Sequence, residues 1–176
     1  GELIGNLRLL AKPVVAAING VAAGAGAVIA LASDLRVMAE GAKIAFLFVR
    51  VGLAGADMGA AWLLPQVVGL GRANEILMLG EPVTAARALE IGLCNRVAAD
   101  PNAARSEAQA LARRLAAGPS FALGMTKTML TQEHNMSLQQ ALEAEAQAQQ
   151  ICMQTHDFRE AHSAFTEKRE PRFVGR

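Results

Sequence analysis

The stretch GVAAGAGAVIALASD, Gly20 to Asp34, follows directly on the apolar run Pro13-Val14-Val15-Ala16-Ala17-Ile18-Asn19. Val14 to Ile18 is short, apolar and bounded by turn formers, so it reads as a buried strand, with Asn19-Gly20 as the turn that ends it. From Ala25 to Ser33 alanine, valine, isoleucine and leucine crowd every face, which predicts a helix that is buried rather than surface-lying. Gly20, Gly24 and Gly26 fall between strand and helix. Backbone without side chains at a helix start offers its N–H groups, together with the positive end of the helix dipole, to something negative.

Three readings of that loop stay open on the residues alone. A phosphate cradle of the G-x-x-x-x-G-K-[ST] type needs a Lys-Ser or Lys-Thr that does not follow. A dinucleotide fingerprint needs G-x-G-x-x-G and an acid about 20 residues on; Ile29 stands at the third glycine, and Asp34 comes too early. A developing oxyanion needs only two preorganised N–H donors, each worth about 3 kcal/mol in the transition state. Against all three stands close packing of helix on strand, which Gly24 and Gly26 would also serve.

Outward from this core, apolar residues at positions 3, 4, 7 and 10 give an amphipathic N-terminal helix. Lys12-Pro13 breaks it. Leu35-Arg36-Val37-Met38 and Ile44-Ala45-Phe46 read as strands, and Asn95 to Ala98 as one more. Helices are expected from Met58, Arg72 and Thr84. Asp100 caps a further helix with Pro101 at its first position, Gly118-Pro119 marks the next break, and Ser137 with Gln140 has capping-box spacing. The helix beyond Ser137 is rich in glutamine. It is either solvated or packed on a partner chain through Leu138, Leu142, Ile151 and Phe158. Strand, helix, strand and then many helices imply an α/β core with a helical C-terminal part.

Composition narrows the function. The 176 residues are 52% hydrophobic and 19% charged, enough for a core of about one domain. Seventeen basic against sixteen acidic side chains and 4% aromatic residues give no field and few stacking platforms for nucleic acid. The longest apolar run, Val21 to Ala32, is too short for a bilayer, and the first residues show no basic n-region with a cleavage site, so neither a membrane nor a nucleic-acid partner is expected. Cys94 and Cys152 show no metal spacing or disulfide framework and fit buried thiols in a reducing cytoplasm.

The segments KPVVAAINGVAAGAG (12–26), ASDLR (32–36) and AKIAF (42–46) closely resemble the signature of the enoyl-CoA hydratase/isomerase (crotonase) superfamily. The likeness continues through Leu64-Pro65, Val68-Gly69, GEPVTA (80–85), ALEIGLCNRV (88–97) and AFTEKR (164–169). The resemblance implies a crotonase-like spiral of ββα units, partial over residues 1–98, and a C-terminal helical trimerisation region over 99–176, assembling as a homotrimer or hexamer. An N-terminal third carrying the second oxyanion donor would lie outside this chain. It further implies an acyl-CoA substrate and a thioester carbonyl polarised by the backbone N–H of Ala25, flanked by Gly24 and Gly26. No metal or prosthetic group is implied; coenzyme A arrives as part of the substrate.

The acid and base depart from the family's hydration pattern. Hydration across C=C commonly uses two carboxylates, and the family's two glutamate positions fall on Val28 and Phe48. One acid remains: Gly52-Leu53-Ala54-Gly55-Ala56-Asp57-Met58-Gly59 resembles, with one extra residue, the G-L-x-x-D-x-G segment of dienoyl-CoA isomerases, whose Asp shuttles a proton. Asp57 is thus the candidate proton carrier. Burial against Phe46, Phe48 and Trp62 would suit it to that work, whereas an Asp just before Met58 is also a good helix cap. Phe48 and Trp62 are candidate acyl-pocket residues, and Phe165 with Lys168 matches a tail that in relatives reaches toward coenzyme A. Arg50 is a possible partner for Asp57 or a carboxylated acyl group. The expected activity is that of an enoyl-CoA hydratase/isomerase-family enzyme. Alternatives are another crotonase reaction (isomerisation, C–C cleavage, thioester hydrolysis) or a non-catalytic acyl-CoA-binding subunit.

Overall fold

A computed structural model describes residues 1–176. The chain divides into two compact units, residues 1–8 with 14–111, and residues 9–13 with 112–176. No helix is long and apolar enough to cross a membrane.

The first unit opens with α1 (Glu2–Leu9) and then enters β1 (Val15–Ile18) where the sequence places a strand. Asn19-Gly20 does not end the extended chain. It carries it into a second short strand, β2 (Val21–Ala23), before α2 (Ala25–Ala32) begins. β3 (Leu35–Ala39) and β4 (Lys43–Ala45) repeat the step. The first strand of each pair joins one sheet, of order β1-β3-β6, and the second joins another, of order β2-β4-β5. β1 and β3 run parallel with Val15 beside Leu35 and Ile18 beside Met38. β2 and β4 run parallel with Val21 beside Lys43. β5 (Val83–Thr84) returns antiparallel on β4, and β6 (Arg96–Ala98) extends the first sheet in parallel on β3. This two-sheet alternation is what the resemblance implied as a ββα spiral.

Between β4 and β5 lie a 3₁₀ turn (Phe48–Val51), α3 (Ala60–Val68) and α4 (Leu70–Leu79); α5 (Ala85–Glu90) precedes β6. The Thr84 hydroxyl accepts the Arg87 N–H and caps α5. The core packs Val28, Val37, Met38, Ile44, Phe46, Leu64 and Leu93, all fully buried. Alanines at 27, 32, 60, 85, 88 and 104 are equally inaccessible, so helices meet the sheets through methyl groups that permit close approach. Cys94 is buried here, as expected, but Cys152 in the second unit is only half-buried. α6 (Pro101–Ala116) is capped by Asp100, whose Oδ1 accepts the N–H groups of Asn102 and Ala103, both at 2.8 Å.

The second unit holds α7 (Ser120–Gln132), α8 (Leu138–Met153) and α9 (His156–Thr166). Residues 9–13 lie on α7: a Cβ on Gly124 would stand 2.5 Å from the Ala11 carbonyl oxygen, so only glycine allows that approach. Lys127, buried beside it, donates from Nζ to the Lys12 carbonyl at 3.1 Å. The Ser137–Gln140 capping box forms in both directions.

The C-terminal tail is strapped to α9 by two acids. Asp157, 3% exposed, accepts the N–H groups of Val174 and Gly175 at 2.8 Å each. Glu160 accepts Arg169 Nη1 at 2.6 Å and the Arg172 N–H at 2.7 Å. The Arg169 guanidinium, followed by the Arg172 amide, lowers the Glu160 carboxyl from its ordinary 4.5 to about 2. A lowered carboxyl favours the strapped form above the unfolded value and loses that contribution as pH falls through the folded one. The strap is therefore expected to hold down to about pH 4.5 and to release toward pH 2. The Arg172 amide shift in a ¹H–¹⁵N titration should move with a midpoint near the lower figure; a midpoint at the ordinary glutamate value would show that Arg169 does not hold Glu160.

Candidate active site

α2 is built to keep its first N–H groups available. Its N-cap, Gly24, has φ 52° and ψ −118°, a backbone state that a Cβ disfavours, and no side chain caps the helix. Gly24 places its own N–H on the last carbonyl of β4, Ala45, at 2.9 Å, which ties the loop to the second sheet. Its carbonyl accepts the Val28 N–H at 3.2 Å, the first bond of the helix. Ala25, Gly26 and Ala27 thus carry the N–H groups that helical geometry leaves without a backbone acceptor. Ala25 and Gly26 are exposed, while Ala27 and Val28 are fully buried. A groove of about 360 Å³ runs beside this helix, lined by Leu7, Ile18, Val21, Gly26, Ile29 and Ser33 among others.

The opposite end of α2 is closed. Arg36 on β3, 6% exposed, donates from Nη1 to the carbonyls of Leu31 at 3.1 Å and Ser33, and from Nε to Leu93 at 2.7 Å. Burial pulls the guanidinium below its ordinary value, with the nearby Cys94 and Asp34 opposing. Burial likewise pushes the Cys94 thiol up, against the pull of Arg36. Asp34 itself is engaged elsewhere, by the Val14 N–H at 2.7 Å and Arg8 at 3.3 Å.

Asp57 stands in a different segment and is exposed. Its Oδ1 accepts the Met58 N–H at 2.8 Å. Met58 has φ 50°, a left-handed state uncommon outside glycine, asparagine and aspartate, and Gly59 follows at φ 91°. These two residues delay the helix: α3 starts at Ala60 with Gly59 as its cap, so the reading of Asp57 as the cap of a helix from Met58 is corrected. The carboxylate orients its own turn instead. The aromatic enclosure that would have suited it to proton transfer is absent, since Phe46 and Phe48 belong to the core and Trp62 is 45% exposed on α3. Arg50 lays its stem over Gly80, where a Cβ would meet its Cγ at 2.9 Å.

Val28 and Phe48, the positions where the resemblance leads one to expect glutamates, are apolar and buried, at 0% and 8% exposure. In the second unit Phe165 is 86% exposed near the end of α9, and Lys168 follows at φ 54°, also exposed. The three histidines, at 134, 156 and 162, are exposed in the same unit. Gly24, Ala25 and Gly26 are therefore gathered at one helix start, and Phe48, Asp57 and Trp62 follow in the segment after β4. Two elements of this site escaped the sequence: the Gly24–Ala45 tether and the Arg36 clamp. Each joins backbone groups to residues whose identity alone does not announce the contact.

The sequence profile of the family described as enoyl-CoA hydratase/isomerase matches residues 2–176. A 1,2-epoxyphenylacetyl-CoA isomerase from Escherichia coli K12 is 41% identical over 174 residues, covering 99% of this chain and 66% of its own length. A crystal structure from Streptomyces coelicolor A3(2), provisionally named an enoyl-CoA hydratase, superposes with TM-score 0.96 at 51% identity over 98% of this chain and 62% of the other. An enoyl-CoA hydratase structure from Bacillus anthracis gives TM-score 0.93 at 31% identity, covering 98% of this chain and 66% of that one. The chain thus spans just under two thirds of the length of these relatives. Profile, sequence and fold agree: the chain belongs to the enoyl-CoA hydratase/isomerase (crotonase) family.

Proposed function

We propose that this chain forms the acyl-CoA-binding and enolate-stabilising part of an enzyme that moves a proton on an acyl-CoA thioester. The observation that carries the reading is the uncapped, glycine-led start of α2, where Ala25 and Gly26 are exposed and Gly24 is tethered to β4. A thioester oxygen gaining charge there would be met by the Ala25 N–H and the helix dipole. Asp57 would carry the proton between carbons. Its carboxylate is held in orientation by the Met58 N–H, in a backbone state of the kind that clusters at functional sites.

Val28 and Phe48 favour isomerisation over hydration, because one carboxylate can take a proton from one carbon and return it to another, whereas activating water and protonating carbon commonly uses two. Trp62 and the exposed Phe165 and Lys168 are proposed contacts to the acyl-CoA, with Lys168 meeting a phosphate. The exposed Leu130, Leu138, Leu142, Ile151 and Phe158 of the second unit support self-association into a trimer or hexamer. Sedimentation of the full-length protein would test that part, a monomer at micromolar concentration counting against it.

Assay of the full-length protein on enoyl-, dienoyl- and β-ketoacyl-CoA thioesters tests the reaction. Double-bond migration without uptake of solvent oxygen is expected. Uptake of ¹⁸O from labelled water as the main outcome would return the assignment to hydration, and tight thioester binding with no turnover on any member would leave an acyl-CoA-binding subunit.

A further inference from the structure

We propose that Arg36 is a positioning residue for the thioester carbonyl, acting through the length of α2; the proposal rests on the reading of the α2 start given above. All of the hydrogen-bond acceptors of its guanidinium are main-chain carbonyls: Ala30 at 3.5 Å, Leu31 at 3.1 Å and Ser33 from the last turn of α2 and the residue after it, and Leu93 at 2.7 Å from the turn before β6. The Leu31 carbonyl is one that a helix end leaves without a helical partner, while the Ala30 carbonyl also accepts the Ser33 N–H at 3.3 Å. The backbone of Arg36 is fixed as well, its N–H donating to Asn95 Oδ1 at 2.8 Å and its carbonyl accepting the Asn95 N–H at 2.9 Å. The side chain is 6% exposed, so its direction is set by the fold.

The arrangement does more than close a helix. A guanidinium stays charged under nearly all conditions, and no carboxylate accepts from this one, Asp34 being bound by Arg8 and the Val14 N–H. A buried positive charge therefore sits at the negative end of α2 while Ala25 presents the positive end to solvent. It offsets the carbonyl end of the macrodipole, and its own field reinforces the N-terminal one. Eight helical residues span about 12 Å. At that distance a unit charge in a protein environment changes the stabilisation of an oxyanion by about tenfold. Arg36 also joins the end of α2 to the loop before β6, while Gly24 joins its start to β4, so the helix is pinned at both ends to different sheets.

The test uses the full-length protein and 4-(dimethylamino)cinnamoyl-CoA, whose absorption band moves to longer wavelength when its carbonyl oxygen is polarised. Wild type at saturation is expected to show the red shift, and Arg36→Lys to keep most of it. Arg36→Met should lose about half or more of the shift, with turnover of the best thioester falling about tenfold. If Arg36→Met does not fold, Arg36→Gln takes its place, since it can still donate to the Leu93 carbonyl without charge. A full red shift in a folded neutral variant would overturn the role of Arg36 and leave the carbonyl site intact. Saturable binding to wild type with no red shift would overturn the carbonyl site, and the role of Arg36 with it.

Discussion

Ala25→Pro is expected to lower turnover by about 100- to 1000-fold while the protein still folds. Proline replaces the backbone N–H by a ring Cδ, which removes the donor and fills the direction in which it pointed. At the first position of α2 that N–H has no helical acceptor, and the ring's fixed φ suits a helix start. Gly24, lacking a Cβ, relieves much of the crowding that proline imposes on its predecessor. The Gly24 N–H to Ala45 bond and the buried face at Ala27 and Val28 are untouched by the change. Circular dichroism should be superimposable on wild type, and the loss should appear in kcat/KM, because the ring removes a donor to developing charge and also crowds the carbonyl oxygen. Wild-type turnover in a folded Ala25→Pro protein would remove this N–H from the chemistry.

Asp57→Asn carries the second large effect, a fall in turnover of about 100-fold or more, the usual contribution of a positioned acid or base. Asparagine keeps an oxygen that can accept the Met58 N–H, so the turn before α3 is retained and melting temperature should change little. Exchange of solvent deuterium into the acyl chain should fall in parallel with turnover, since both require the same proton transfer. If Asp57→Asn exchanged deuterium at the wild-type rate, the proton would be carried by another group, and the segment from Gly52 to Gly59 would keep only a structural role.

Those two predictions differ in how far the sequence leads to them. β1 and α2 are legible because their apolar runs are bounded by strong turn signals, and α8 because Ser137 and Gln140 stand at capping-box spacing. β2 and β5 are not: three and two residues are too few to show alternation, and Asn19-Gly20 looks like an end when it is a bend between sheets. Ala25 is singled out by the resemblance, since the glycines around it leave several readings open. Asp57 is singled out in the same way, but not its surroundings, because Met58 with its positive φ and Gly59 stand between it and the start of α3 and the carboxylate is exposed. In the sequence Arg36 is one letter of the ASDLR segment. Its importance lies in carbonyls from Leu31 to Leu93, which no local pattern brings together.

β1 and β2 are consecutive in the chain, and each is the terminal strand of its own sheet. The two edges follow one another in the chain, with Ala17 and Val21 exposed along them and no charged side chain between Val14 and Ala23 to repel a stray extended segment. Natural sheets commonly guard such borders with lysine, proline or a bulge. Here that duty falls to Lys12-Pro13 at one end only. Colloidal behaviour, alongside core stability, is consequently a property that the ten residues from Val14 to Ala23 govern when the 176 residues are handled alone, and a lysine at Val21 is the simplest way to change the first without touching the core.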